Sequence, residues 1–164
     1  AESVSVPVAL QQAVQEAAMA CNVEDLFTKS NRLKVNAWIV LFNALISQEH
    51  ALAVSQARFP QARLTSLYLL KLHWVVLLLS KNVDRISMVW GLVLGFFERV
   101  RSIALEMVRP RAPPHSQGFI YVLERLVVEV ITLANILLNK PQLADQALAL
   151  IALLEPVPPH ACLS

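Results

Sequence analysis

Long apolar runs separated by prolines dominate the chain. Pro7, Pro60, Pro110, Pro113, Pro114, Pro141, Pro156, Pro158 and Pro159 all fall between runs and none falls inside one. Proline removes a backbone donor and fixes its own φ, so it belongs at boundaries and first turns, and the runs between prolines are predicted helices. Helices are expected over Val8 to Cys21, Val35 to Ser47, Ala62 to Ser80, Asp84 to Val108, Gln117 to Asn139 and Gln142 to Leu154. A short turn is expected near Glu24 to Phe27, and one more short helix over Ala51 to Ala57. Only three glycines, the run lengths and the Leu and Ala content disfavour strands.

Polar residues within the runs recur at helical spacing. From Gln117 to Asn139 they are Arg125, Glu129, Thr132, Asn135 and Asn139, while Leu123, Leu126, Val127, Val130, Ile131, Ala134 and Leu138 occupy the rest. A stripe that narrow predicts a mostly buried helix. Between Asp84 and Val108, Ser87, Gly91, Glu98, Ser102 and Glu106 fall close to one line. Antiparallel helices of this apolarity stack in layers, as in HEAT or armadillo-like solenoids, where a pair takes about 40 residues. One all-α domain over residues 1–164 is therefore expected, inferred from lengths because no consensus repeats itself. Gly91 and Gly95, four apart, suggest a close helix-helix seam.

Composition sharpens this picture. Of 164 residues, 56% are hydrophobic and only 16% charged, against roughly 25% charged in an average domain, which excludes disorder. A membrane span needs about 20 residues nearly free of charge. The stretches Leu72 to Ser80 and Ile86 to Phe97 are too short, and Phe119 to Leu138 is broken by Glu124, Arg125 and Glu129. The start, Ala-Glu-Ser-Val, has neither the basic residues nor the apolar core of a signal, and without an initiating Met it reads as a trimmed fragment. The charge deficit then predicts apolar end faces, normally covered by neighbouring helices, and self-association of the isolated chain.

The chemistry on offer is sparse. Cys21 and Cys162 give neither a disulfide framework nor metal spacing and fit a reducing compartment. His50, His73, His115 and His160 are far apart, and no glycine loop could cradle a phosphate. No catalytic, cofactor-binding or metal-ligating residue is assigned, no cofactor is expected, and the chain does not read as an enzyme. A net charge of +2 is too weak to argue for nucleic acid, and none is expected as a partner. Basic residues do gather, at Lys29, Arg32 and Lys34 and again at Arg99, Arg101, Arg109 and Arg111. They are candidate contacts to anionic headgroups, each worth about 1 kcal/mol near such a surface; the plainer account is solvated helix ends that complement the dipole.

Three segments carry a resemblance. Asn82-Val83-Asp84-Arg85-Ile86, preceded by Leu64-Thr65-Ser66-Leu67-Tyr68-Leu69-Leu70 and followed by Trp90, is similar to an Asn-x-Asp-Arg-Ile/Val turn between two helices in the large Arf-type guanine-nucleotide exchange factors. Tyr121-Val122-Leu123-Glu124-Arg125-Leu126-Val127-Val128 resembles that family's aromatic-Leu-Val-Glu-Arg-Ala-Val-Val helix, closest to its cis-Golgi branch. Leu26-Phe27-Thr28-Lys29-Ser30-Asn31-Arg32-Leu33 looks like a Phe-Thr-x-Ser-x-Arg-Leu segment of the trans-Golgi branch. The matches keep one order over roughly residues 13–156. Lys71 stands where the family often has an acid, Leu126 where it has a small residue, and Pro110 to Pro114 lengthens a loop.

The resemblance implies a regulatory region, the first homology region downstream of the catalytic domain in exchange factors of the Golgi brefeldin A-resistant or brefeldin A-inhibited type. The catalytic glutamate of such proteins belongs to that other domain. Implied partners are an Arf-family GTPase in its activated form or a phosphoinositide membrane surface, together with other domains of the same polypeptide, in the cytoplasm and peripheral at Golgi membranes. Within the motifs, Asn82 or Asp84 is expected to cap a helix beginning near Arg85, Trp90 to anchor the core two turns in, and Glu124 and Arg125, being adjacent, to find other partners. A helical-repeat adaptor with no lipid site needs only the stacked helices. An apoptosis-regulator-like bundle fits poorly, because its Asn-Trp-Gly-Arg run stands here as Val-Trp-Gly-Leu around Trp90.

Overall fold

Helices form where the prolines leave room for them. The computed structural model describes residues 22–54, 61–109 and 117–156. Its α-helices are α1 (Val23–Thr28), α2 (Val35–Val54), α3 (Gln61–Ser80), α4 (Trp90–Met107), α5 (Gly118–Leu138) and α6 (Ala144–Ala152). Shorter 3-10 turns occupy Ser30–Arg32, Val83–Val89 and Pro141–Leu143. No strand occurs among the described residues, and the fold is an all-α stack of helices. The helix expected over Val8 to Cys21 lies outside the described residues, as does the end of the one expected over Ala51 to Ala57.

Four boundaries differ from expectation, each for a local reason. The turn near Glu24 to Phe27 is a helical turn, α1, with Glu24 and Asp25 at its N-terminal end where the dipole favours them. Ala51 to Val54 continues α2 without a break, because no proline or glycine separates it from Ser47. The run expected as one helix from Asp84 begins as a 3-10 turn and becomes α-helical only at Trp90. Val83, Ile86 and Val89 are three apart, and Ile86 and Val89 are both buried, a spacing that a turn of 3.0 residues keeps on one face. Pro141 likewise opens a 3-10 turn before α6, at the position where its missing donor is harmless.

Helices α3 and α5 run side by side in the same direction. Gly118 lies against Thr65, the rings of Phe119 and Tyr68 are 6.3 Å apart, and Glu129 meets His73 at 3.6 Å, so positions on the two helices rise together. Alternate helices of a folded-back stack have this relation. Between Leu64–Ser80 and Val83–Met107 the chain turns through 117°, and no single described helix is long and apolar enough to cross a membrane.

The core joins every layer. Trp38 and Phe42 of α2 stack with centroids 6.1 Å apart, and Phe27 packs against Trp74 at 5.3 Å. Leu72 and Leu79 of α3, Phe96 and Phe97 of α4, Leu133 and Leu137 of α5, and Leu150 of α6 complete it. Helix α5 is less buried than its composition predicts. Its neighbours α3, α4 and α6 cover one side, where Val122, Leu126, Val130 and Leu133 are buried. Val127, Val128, Ile131 and Leu138 face outward, with Val128 54% and Leu138 50% exposed, while Glu129 of the expected polar stripe is buried.

The glycine seam is not where Gly91 and Gly95 suggested. A Cβ on Gly91 would meet nothing within 4 Å, and one on Gly95 would meet only the Arg99 guanidinium at 3.2 Å. The close approach is at Gly118, whose Cβ would fall 3.0 Å from the Thr65 hydroxyl and 3.1 Å from its methyl. Gly91→Ala is therefore expected to raise stability by about 0.5 kcal/mol through helix propensity and unfolded-state entropy. Gly118→Ala should lower it, and paired urea titrations give both signs.

Candidate functional site

The turn between α3 and α4 draws three distant segments together, starting from a problem at the C-terminus of α3. The last carbonyls of a helix lack intrahelical partners. Here Lys81 N–H donates to the Leu77 carbonyl at 3.2 Å and Asn82 N–H to that of Leu79 at 3.0 Å. The carbonyl of Leu78 is taken by the Asn82 side chain, whose Nδ2 donates to it at 2.8 Å. Asn82 thus closes the helix before it. The expectation that Asn82 or Asp84 caps the following helix is corrected: Asn82 precedes the 3-10 turn but makes no side-chain cap bond to it.

The same Nδ2 reaches across the fold. It also donates to Ser30 Oγ at 2.7 Å, and Ser30 in turn donates to the Phe27 carbonyl at 2.6 Å. Arg85, one turn on, donates from Nη1 to the Leu33 carbonyl at 2.7 Å and from Nη2 to the Asn31 carbonyl at 3.2 Å. Two side chains therefore hold the loop between α1 and α2, Arg85 by its backbone and Asn82 by the Ser30 hydroxyl. Asp84 points the other way and pairs with Lys140 beside the turn into α6. Ser30, with its side chain buried, and Lys140 were not singled out by sequence, since nothing local marks a residue whose partner is more than 50 positions away.

The first basic cluster sits on this held loop. Lys29, Arg32 and Lys34 are exposed, and Lys29 pairs with Asp25 at 2.8 Å. Arg85 joins them by gripping Asn31 and Leu33, and exposed apolar side chains stand in the flanking helices, Val23 and Leu26 in α1 and Val35 at the start of α2. Cationic heads beside exposed apolar side chains suit an anionic interface.

The second cluster is divided. Arg99 and Arg101 are about 200° apart around α4, given 3.6 residues per turn. Arg101 donates to the Glu155 carbonyl at 3.0 Å, Arg99 lies beside Gly95, Arg109 is exposed, and Arg111 is outside the described residues.

The remaining motif residues are also placed. Trp90 does not anchor the core two turns into a helix; it is the first residue of α4 and half-buried, because the preceding turn is 3-10. Glu124 is exposed, whereas Arg125 points along α5 to Glu129, Nε to Oε1 3.6 Å. Glu129, which sequence placed on a solvent stripe, faces His73 of α3. Among the described residues no three His, Cys, Asp or Glu side chains converge on a metal-sized space. Comparisons with protein-family models, with curated proteins and with solved structures find no match to this chain.

Proposed function

We propose that the chain is a noncatalytic regulatory domain of an Arf guanine-nucleotide exchange factor, recruiting it to Golgi membranes and controlling its exchange output. The observation that carries this reading is the junction of Asn82 and Arg85 with Ser30, Asn31 and Leu33. Those residues belong to two of the three segments that resemble the family, so the resemblance falls on residues that work as one unit rather than on scattered helices. The junction also presents Lys29, Arg32 and Lys34 outward beside exposed apolar side chains, as a surface that meets phosphoinositide headgroups requires.

Flotation with phosphoinositide vesicles, and with neutral vesicles bearing lipid-anchored GTP-loaded Arf, tests the two recruitment routes. Binding to the first is expected, and Arg32→Gln with Lys34→Gln should weaken it roughly 30-fold, about 1 kcal/mol for each charge. Binding to neither vesicle would defeat the proposal. A helical adaptor without a lipid site is the second reading, favoured by the apolar outer side of α5 at Val127, Val128 and Ile131. It predicts capture of a protein partner and no flotation.

A further inference from the structure

Between α3 and α5 lies a cleft of about 170 Å³ lined by His73, Val76, Leu77, Ser80, Glu129, Thr132 and Ile136. We propose that this cleft binds a primary ammonium group carried on a short alkyl stem, with Glu129 as its counter-ion.

Glu129 is buried, only 6% exposed. A carboxylate taken out of water needs charge and hydrogen-bond partners, and an apolar residue of similar size would serve packing equally well or better. Arg125 supplies an opposite charge, but no neighbour supplies a close hydrogen bond. His73 Nδ1 and Arg125 Nε both stand 3.6 Å from the one oxygen Oε1, beyond the 2.7–3.2 Å of an N–H to O hydrogen bond. A carboxylate has about four acceptor positions, so these two contacts leave capacity toward the cleft.

Ser80 Oγ donates its proton to the Leu77 carbonyl at 2.7 Å, and Thr132 Oγ1 donates to the Val128 carbonyl at 2.7 Å. Each hydroxyl has spent its only donor within its own helix and keeps lone pairs. Apart from the His73 imidazole, whose Nδ1 already faces Glu129, the polar walls are three acceptors, one of them anionic, and a ligand that meets them must bring donors. An ammonium brings three on a single positive centre. An anion would face the Glu129 charge, and of the cleft's side chains only the His73 imidazole could donate to it.

Val76, Leu77 and Ile136 give apolar walls for a stem. A cavity of about 150 Å³ admits a six-carbon guest such as benzene, so a four-carbon chain fits. The ligand is either a free small amine or the side chain of a lysine on a partner polypeptide. The site does not depend on the membrane reading, since none of its residues belongs to the basic surface.

The test is titration of the full chain with n-butylammonium, followed by NMR of the Val76 and Ile136 methyl groups. Saturable shifts are expected. n-Butanol, which keeps the stem without the charge, and tetramethylammonium, which keeps the charge without N–H donors, should each bind at least about tenfold more weakly. Glu129→Gln should weaken n-butylammonium about tenfold or more, and Thr132→Val, on the exposed side of α5, about threefold with an unchanged unfolding midpoint. A lysine peptide that binds more tightly than n-butylammonium and loses binding on acetylation identifies a polypeptide ligand; equal or weaker binding identifies a free amine. Absence of saturable shifts, or shifts unchanged in both variants, would overturn the site.

Discussion

Asn82→Ala is expected to destabilise the chain by about 2–3 kcal/mol and to lower its thermal midpoint by roughly 5–10 °C. Asn82 is 4% exposed and its Nδ2 serves two acceptors, the Leu78 carbonyl at 2.8 Å and Ser30 Oγ at 2.7 Å. Each bond contributes about 1 kcal/mol net, and the Leu78 carbonyl, at the end of α3, would be left buried without its partner. A smaller opposing term comes from Asn82 Oδ1, buried with no hydrogen bond among the described residues, which the substitution removes. Arg85→Met takes away two charge-assisted bonds to the same loop and should cost about 1–2 kcal/mol.

The coupling of the two substitutions is the sharper check. Asn82 and Arg85 restrain one segment, so once either is lost the loop is already free and the second loss should cost less than it does alone. Hydrogen exchange at residues 26–33 should quicken in both single variants. Additive effects, or unchanged exchange there, would mean that the junction is incidental to the fold.

The same junction shows where the sequence is legible and where it stops. Prolines at boundaries and long glycine-poor apolar runs are local signals, and they locate the helices and the all-α class. The basic residues Lys29, Arg32 and Lys34 are equally local, being close in sequence and exposed together. Asn82, by contrast, has one sequence signature for two roles. An Asn between two helical runs can close the first or cap the second, and the choice depends on Ser30, 52 residues away.

Periodicity has a similar limit. It says that α5 has two sides, but which residues meet neighbours depends on where α3, α4 and α6 lie. That is why Glu129 is buried while Val127 and Ile131 face out. Nor does glycine spacing reveal a partner: Gly91 and Gly95 are paired in sequence with open space or one flexible arginine beside them, whereas Gly118 stands alone and touches Thr65.

Phe97→Ala should be the most damaging of the substitutions considered, at about 3–5 kcal/mol and roughly 10 °C or more in midpoint. Phe96 and Phe97 are consecutive and both 0% exposed, with ring centroids 5.4 Å apart in an edge-to-face arrangement. Neighbouring positions on a helix point about 100° apart, so burial of both means that α4 is covered over a wide arc by more than one neighbour. Loss of the Phe97 ring opens a cavity that elements on both sides of that arc would have to close, and cores relax only partly around such a loss. Ile131→Ala provides the contrast. Ile131 lies in a run at least as apolar, yet it is 45% exposed, and its truncation should cost about 1 kcal/mol or less. Equal losses at the two sites, measured by thermal and urea unfolding, would show that the outer side of α5 is covered in solution, as self-association would cover it; a severalfold difference would leave that side open to water, as the adaptor reading requires of a chain without its partner.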